Sequence, residues 1–291
     1  MNNITIQDKC IRIVTADEIT KTVRDMFIKI NHTLTDDVIS TLCNCTRNEQ
    51  NPIGKRVLCR LTDNLDAARE LDVPICQDTG MAVLFAEIGE DVHILGDTFN
   101  NAVNEGVRRA YVEGKMRLSI VRDPLYERVN TNDNTPAVIH VSFVKGDKIK
   151  LTAAPKGFGS ENMSSIRMFT PSATEDDIIK FVCDSVKKAG SNPCPPIVVG
   201  VGIGGDFEYC ATLAKKALTR PLDDVSPNEK YSELEQKLLV EINKLGIGPQ
   251  GFGGDTTALA VKVEYSPTHI AGLPVAVNIN CHVARHMSVT I

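Results

Sequence analysis

A chain of 291 residues with 42% hydrophobic and 24% charged residues, 20 Gly and 14 Pro has a folding composition, which excludes collagen, coiled coil and wholesale disorder. Its 32 basic and 37 acidic residues leave a net charge of -5, with no Trp and 5% aromatic residues; nucleic acid is therefore not an expected partner, through either bulk charge or base stacking. No stretch approaches the roughly 18 apolar residues of a membrane span, and Met1 to Thr20 lacks the apolar core of a secretory signal, so a cytoplasmic location without membrane attachment is expected.

In chain order, the Thr35-Asp36-Asp37 start signal followed by Val38, Ile39, Leu42, Cys43 and Cys45 predicts a helix. Pro52 opens a second, with Leu58, Leu61, Leu65 and Ala68 as its apolar stripe and Pro74 beyond its end. Ala82 to Ile88 reads as a strand and Asn101 to Glu113 as a polar helix. Val138 to Val144 and Lys148 to Ala153 flank Lys145-Gly146-Asp147, which predicts a hairpin. Helices follow at Glu175 to Ala189, Phe207 to Leu218 and Glu233 to Leu245, with strands at Pro195 to Gly205, Leu259 to Val263 and Pro274 to Ile279. With no internal repeat and no linker-like segment, the expectation is a single domain over 1–291 of α/β (mixed α+β) class, with a helical lobe at about 1–73 and an α/β lobe at about 74–291.

Nine cysteines, an odd number, point in a reducing compartment to thiols, ligands or catalysis rather than a disulfide framework. Cys43, Cys45, Cys183 and Cys210 lie on or beside apolar helical stripes and read as small buried hydrophobes, while Cys10 and Cys59 have uninformative contexts. Cys76, Cys194 and Cys281 differ. Each sits among turn residues at a strand-to-loop edge, where a thiolate can face a cleft. Their wide separation in sequence fits no zinc-finger or ferredoxin run, so spacing alone establishes no metal.

Several segments carry a resemblance: Ile75 to Val83 (ICQDTGMAV), Asp133 to His140 (DNTPAVIH), Lys156 to Asn162 (KGFGSEN), Cys194 to Gly205 (CPPIVVGVGIGG), Gly246 to Gly251 (GIGPQG), Gly254 to Thr257 (GDTT) and Pro267 to Pro274 (PTHIAGLP). In this order, and on to Cys281, they resemble the class I, iron–sulfur fumarate hydratases, and in the two-subunit form the α subunit. L-tartrate dehydratase α is the sister family, and Lys156 to Asn162 and Asp255-Thr-Thr are more similar to the fumarase branch.

The resemblance implies a hydro-lyase that hydrates fumarate to L-malate with a [4Fe-4S] cluster on Cys76, Cys194 and Cys281. Three thiolates for four irons leave one iron open to a substrate hydroxyl and carboxylate, where it acts as a Lewis acid. By the same resemblance Gln77 and Asp78 contact the substrate, Arg117 binds a carboxylate, the Gly157 and Gly159 amides approach an anion, and His269 and Asp78 are the catalytic candidates. Each has a plainer alternative: Asp78 caps a turn, Arg117 is a solvated helix-end residue, and the two glycines only make a turn. His140 reads as structural, while His282 and His286 stay ambiguous. Because the chain stops ten residues after Cys281, the remaining substrate contacts and the base are expected from a β subunit, in an α2β2 assembly. Two further readings stay open: an NAD-dependent oxidoreductase using the G-x-G-x-x-G pattern of Gly200 to Gly205 with Asp223 or Asp224 downstream, and a scaffold subunit without chemistry.

Overall fold

The computed structural model describes residues 11–291, so Cys10 lies outside the described residues. β1 (Arg12–Thr15) leads into α1 (Ala16–His32), α2 (Asp36–Asn48) and α3 (Pro52–Leu71). Then come β2 (Met81–Gly89), β3 (Val92–Leu95), α4 (Phe99–Glu113), β4 (Val138–Val144), β5 (Ile149–Lys156), the single-turn α5 (Phe158–Glu161) and β6 (Ser165–Phe169). The chain continues through α6 (Glu175–Ala189), β7 (Ile197–Gly205), α7 (Phe207–Ala217), α8 (Glu229–Asn243), β8 (Ala258–Thr268), β9 (Leu273–Asn280) and β10 (Met287–Thr290). The mixed α/β class agrees with the expectation.

Local signals set several boundaries. Asn51 accepts from the Ile53 and Gly54 amides with Pro52 at the first helical position, and α3 ends at Asp72 in the left-handed region (φ 51°). A reciprocal Thr174–Asp177 capping box starts α6.

The chain divides into two compact units interleaved along the sequence: residues up to 31, 79–155 and 287–291 form the first, and 32–78 with 156–286 form the second. The segment expected as one helical lobe, about 1–73, is thus shared between them, α1 belonging to the first and α2 and α3 to the second.

In the first unit β1 pairs in parallel with β3, and a four-stranded sheet runs β10-β5-β2-β4. Its core gathers Phe27, Leu84, Val107, Tyr111, Ile149 and Leu151. The expected hairpin is corrected here: β4 and β5 do not pair, because β2 lies between them. β2 is parallel to β4 from Val83↔Val138 to Gly89↔Val144. The Lys145-Gly146-Asp147 connection passes over the end of β2, where the Gly89 amide donates to Lys148 O (2.9 Å) and the Asp91 amide to Gly146 O (2.9 Å). A Cβ on Gly89 would lie 2.2 Å from Gly146 O, so the crossing requires glycine there.

In the second unit the sheet order is β6-β9-β7-β8, with β7 parallel to β8 and antiparallel to β9. Cys194-Pro-Pro therefore precedes an inner strand of this sheet. α7 lies on β7: a Cβ on Gly200 would meet Ala214 O at 2.1 Å, and one on Gly202 would meet Cys210 O at 2.0 Å. These glycines permit contact between helix and sheet, in a mixed sheet rather than a doubly wound parallel one. Of the four cysteines expected inside, Cys210 is fully buried while Cys43, Cys45 and Cys183 are half-buried; Cys59, whose context is uninformative, is exposed.

Candidate functional site

All three singled-out cysteines belong to the second unit. Cys194 immediately precedes the Pro195-Pro196 pair that opens β7, and Cys281 immediately follows β9. Since Val198 pairs with Asn280 across the antiparallel β7–β9 ladder, both thiols stand at the same end of the sheet. Cys76 arrives from the turn after α3, and Asn64 on that helix holds the carbonyl of Ile75 (Nδ2 to O, 3.0 Å). Cys76 and Cys281 pack against one apolar group that includes Leu58, Ile75, Val198, Val283 and Ala284.

Hydrogen bonds tie the cysteine loops to one another. Cys194 is in the left-handed region (φ 55°), and its carbonyl accepts from His282 Nδ1 (3.0 Å), the residue after Cys281. Gln250, itself at φ 53° in the Gly246 to Gly251 segment, donates to Pro195 O from its backbone amide (2.7 Å) and from Nε2 (2.8 Å). That segment is thus a buttress for the Cys194 loop. Burial pushes the His282 imidazole down, with the bond to the Cys194 carbonyl opposing. His286 is buried too, and is likewise pushed down by burial, with Asp37 opposing.

The electrostatics show the thiols acting on one another. Burial first, then Cys281, Cys76 and Asp78, push the Cys194 thiol up. Cys281 is raised by burial and Cys76, while Arg285 and Lys156 pull the other way. Among the described residues no three His, Cys, Asp or Glu side chains are placed to grip a single metal ion. Thiolates serving different irons of one cluster stand further apart than ligands of a single ion. Three free thiols at one sheet end, with cations beside one of them, fit the soft, anionic demands of an iron–sulfur cluster.

Asp78 lies beside this group. Its Oδ2 accepts from the Phe158 amide (3.1 Å) and would sit 3.0 Å from a Cβ on Gly157, so the absence of a side chain at Gly157 makes room for the carboxylate. The Phe158 amide on this turn is thus engaged by Asp78. Gly157 is buried, whereas Gly159 and Gln77 are exposed. Arg285, buried, donates from Nη2 to the carbonyl of Asp78 (2.9 Å). Sequence reasoning missed Arg285; its only signal was a position four residues beyond Cys281.

Two expected residues are not brought together with the cysteines inside this unit. Arg117 is exposed in the first unit, where Thr79 Oγ1 donates to its carbonyl (3.2 Å). His269 follows β8 at the opposite end of the sheet: Thr268 pairs with Gly205, the last residue of β7, whereas the cysteines flank the first residues of β7. At about 3.3 Å per residue the two ends are on the order of 20 Å apart. His269 is exposed there, and its Nδ1 accepts from the Ala271 amide (3.1 Å). His140, in the first unit, stacks on Phe85 with ring centroids 4.7 Å apart, as a structural residue would.

Comparison with known proteins gives one consistent result. Residues 20–290 match the family described as fumarate hydratase (Fumerase). A protein of Methanocaldococcus jannaschii named putative L(+)-tartrate dehydratase subunit alpha is 38% identical over 92% of this chain and 95% of its own length. L(+)-tartrate dehydratase subunit alpha of Escherichia coli (strain K12) and of Shigella sonnei (strain Ss046) are each 31% identical over 92% of this chain and 89% of theirs.

Proposed function

Because this chain belongs to the fumarate hydratase (Fumerase) family of hydro-lyases, we propose that it is the α subunit of an iron–sulfur enzyme that hydrates fumarate to L-malate reversibly. The observation that carries the reading is the gathering of Cys76, Cys194 and Cys281 at one sheet end beside Asp78 and Gly157. In this proposal those thiolates hold a [4Fe-4S] cluster, which supplies Lewis-acid polarisation of a substrate hydroxyl and carboxylate when bound.

The chain's own residues do the rest. Asp78, fixed by the Phe158 amide and by the Arg285 bond to its carbonyl, presents a carboxylate oriented towards the substrate hydroxyl region, with Gln77 exposed beside it. Arg285 also offsets negative charge at Cys281. Arg117, exposed on the first unit, carries a guanidinium fork of the kind that suits a carboxylate. His269 and Gly159 are assigned no contact within the second unit, and the base comes from a β subunit, in an α2β2 enzyme of the cytoplasm.

A second reading, L(+)-tartrate dehydration, is favoured by the names of the relatives; both reactions remove or add water on a C4 dicarboxylate. Co-expression with the candidate β subunit without oxygen, followed by parallel assays of fumarate, L-malate and L(+)-tartrate, separates them. Turnover of tartrate alone overturns the fumarate assignment. A folded, co-purified complex that holds no iron and acid-labile sulfide after anaerobic reconstitution overturns both readings.

A further inference from the structure

Lys156, the last residue of β5, is 4% exposed, and neither the motif reading nor the proposed chemistry uses its ammonium group. Its Nζ donates to Ile279 O (2.8 Å), Ser160 Oγ (2.9 Å) and Gly157 O (3.3 Å), and Glu161 Oε2 lies 3.3 Å away. Glu161 in turn pairs with Lys215 of α7 (2.5 Å) and accepts from Asn278 Nδ2 (2.8 Å). Asn278 also donates to Ser164 Oγ (3.0 Å), which accepts from the Ile279 amide (3.3 Å). Every one of these groups lies on the 157–164 segment, on α7, or on the last residues of β9 before Cys281.

Placing an ammonium in such a site is costly. Burial pushes Lys156 down to about 8, with Glu161 opposing, so the group still carries its charge at neutral pH. A well-packed apolar side chain would serve stability alone at least as well as a buried ion pair. What the charge adds is direction, because three donors and one carboxylate fix the turn at several points at once. That turn presents the Phe158 amide that holds Asp78, and β9 presents Cys281.

Resting on the function proposed above, we propose that Lys156 is a positioning residue: with Glu161 it clamps the 157–161 turn to the Cys281 end of β9 and so fixes Asp78 relative to the cluster thiolates. The clamp also explains why the turn needs Lys, Ser and Glu at its first, fifth and sixth positions, 156, 160 and 161.

The test uses Lys156→Met in the full chain, reconstituted and assembled with its β subunit. Hydrogen exchange of the 157–161 amides is expected to rise on the order of tenfold, confined to that turn. Iron and sulfide content should stay at the wild-type level, and kcat should fall about 10- to 100-fold with KM within about threefold. Wild-type exchange at 157–161, or a rise spread evenly over the second unit, overturns the clamp. If Lys156→Met does not fold, Glu161→Gln, which keeps the lysine and removes its carboxylate partner, must show the same local rise; wild-type exchange in that variant overturns it too. Absence of turnover by the wild-type complex would sink the function assignment, while the exchange comparison still decides the clamp.

Discussion

At the scale of single residues, two kinds of buried polar group can be told apart by what they touch. Glu49, 2% exposed, accepts from the backbone amides of Asn51, Asp255 and Thr256 at 2.9–3.1 Å. Burial alone would raise its pKa, but these amide bonds outweigh burial and hold it below the usual carboxylate range. A folded value below the unfolded one means the stabilisation is complete above about pH 4.3 and fades as pH falls towards the folded value. Glu49→Gln is expected to lower stability at pH 7 by about 1–3 kcal/mol, because one of its amide-facing atoms becomes a donor. It should also flatten the acid limb of stability against pH; urea melts between pH 3 and 7 that show the wild-type slope would refute this. The cysteines behave differently, since no backbone demand explains their placement. Cys194→Ser should lose iron from the reconstituted protein and roughly 10³-fold of any activity, whereas Cys183→Ser, on α6, should retain both; iron analysis of the pair distinguishes a ligand from a bystander.

At the scale of elements, β7 and α7 depend on the lack of side chains at two positions. Gly202→Ala would drive a Cβ to within 2.0 Å of the Cys210 carbonyl, a backbone atom that moves only with its helix, so a loss of about 1–3 kcal/mol or more is expected in chemical denaturation. A wild-type midpoint would mean that α7 can lift off β7 at little cost. Periodicity made α6 legible to the residue, because Ile178, Val182 and Val186 mark one buried face. Pairing was less legible. The turn at 145–147 has hairpin composition, yet it crosses the end of β2 at Gly89, and nothing local reports a third strand between two others. The site shows the same division. Cys76, Cys194 and Cys281 were readable from turn context and motif order, and they share one end of the second unit. His269 was equally in motif register but falls at the far end of β8, a consequence of strand direction that motif order does not encode. Arg285 and Lys156 escaped because a buried cation has no periodic signature; only the partners around it reveal it.

At the scale of the whole molecule, the interleaving of the two units constrains how the chain can be cut. A fragment of residues 1–73 carries α1 without β2, β4 and β5, and α2 and α3 without β7 and β9. Exposed apolar faces on three short helices do not sustain a fold, so this fragment should show little cooperative melting by circular dichroism, in contrast to the full chain. A cooperative transition would establish a self-sufficient helical lobe. The division of labour with a second chain is a separate matter. The relatives are named as α subunits, and the function proposed above takes its base from a partner β subunit. It follows that the isolated chain should take up iron and sulfide under anaerobic reconstitution, since the three thiols and their buttresses at Gln250, His282 and Asn64 all lie in one unit. The same preparation should turn over fumarate at less than about 1% of the rate regained on adding the β subunit, since removing the members of a catalytic group that act together costs several powers of ten. Full turnover by the isolated chain would mean that the base lies among its own residues. Failure to take up iron until the partner is added would mean that the second unit alone does not bring the thiols into binding order.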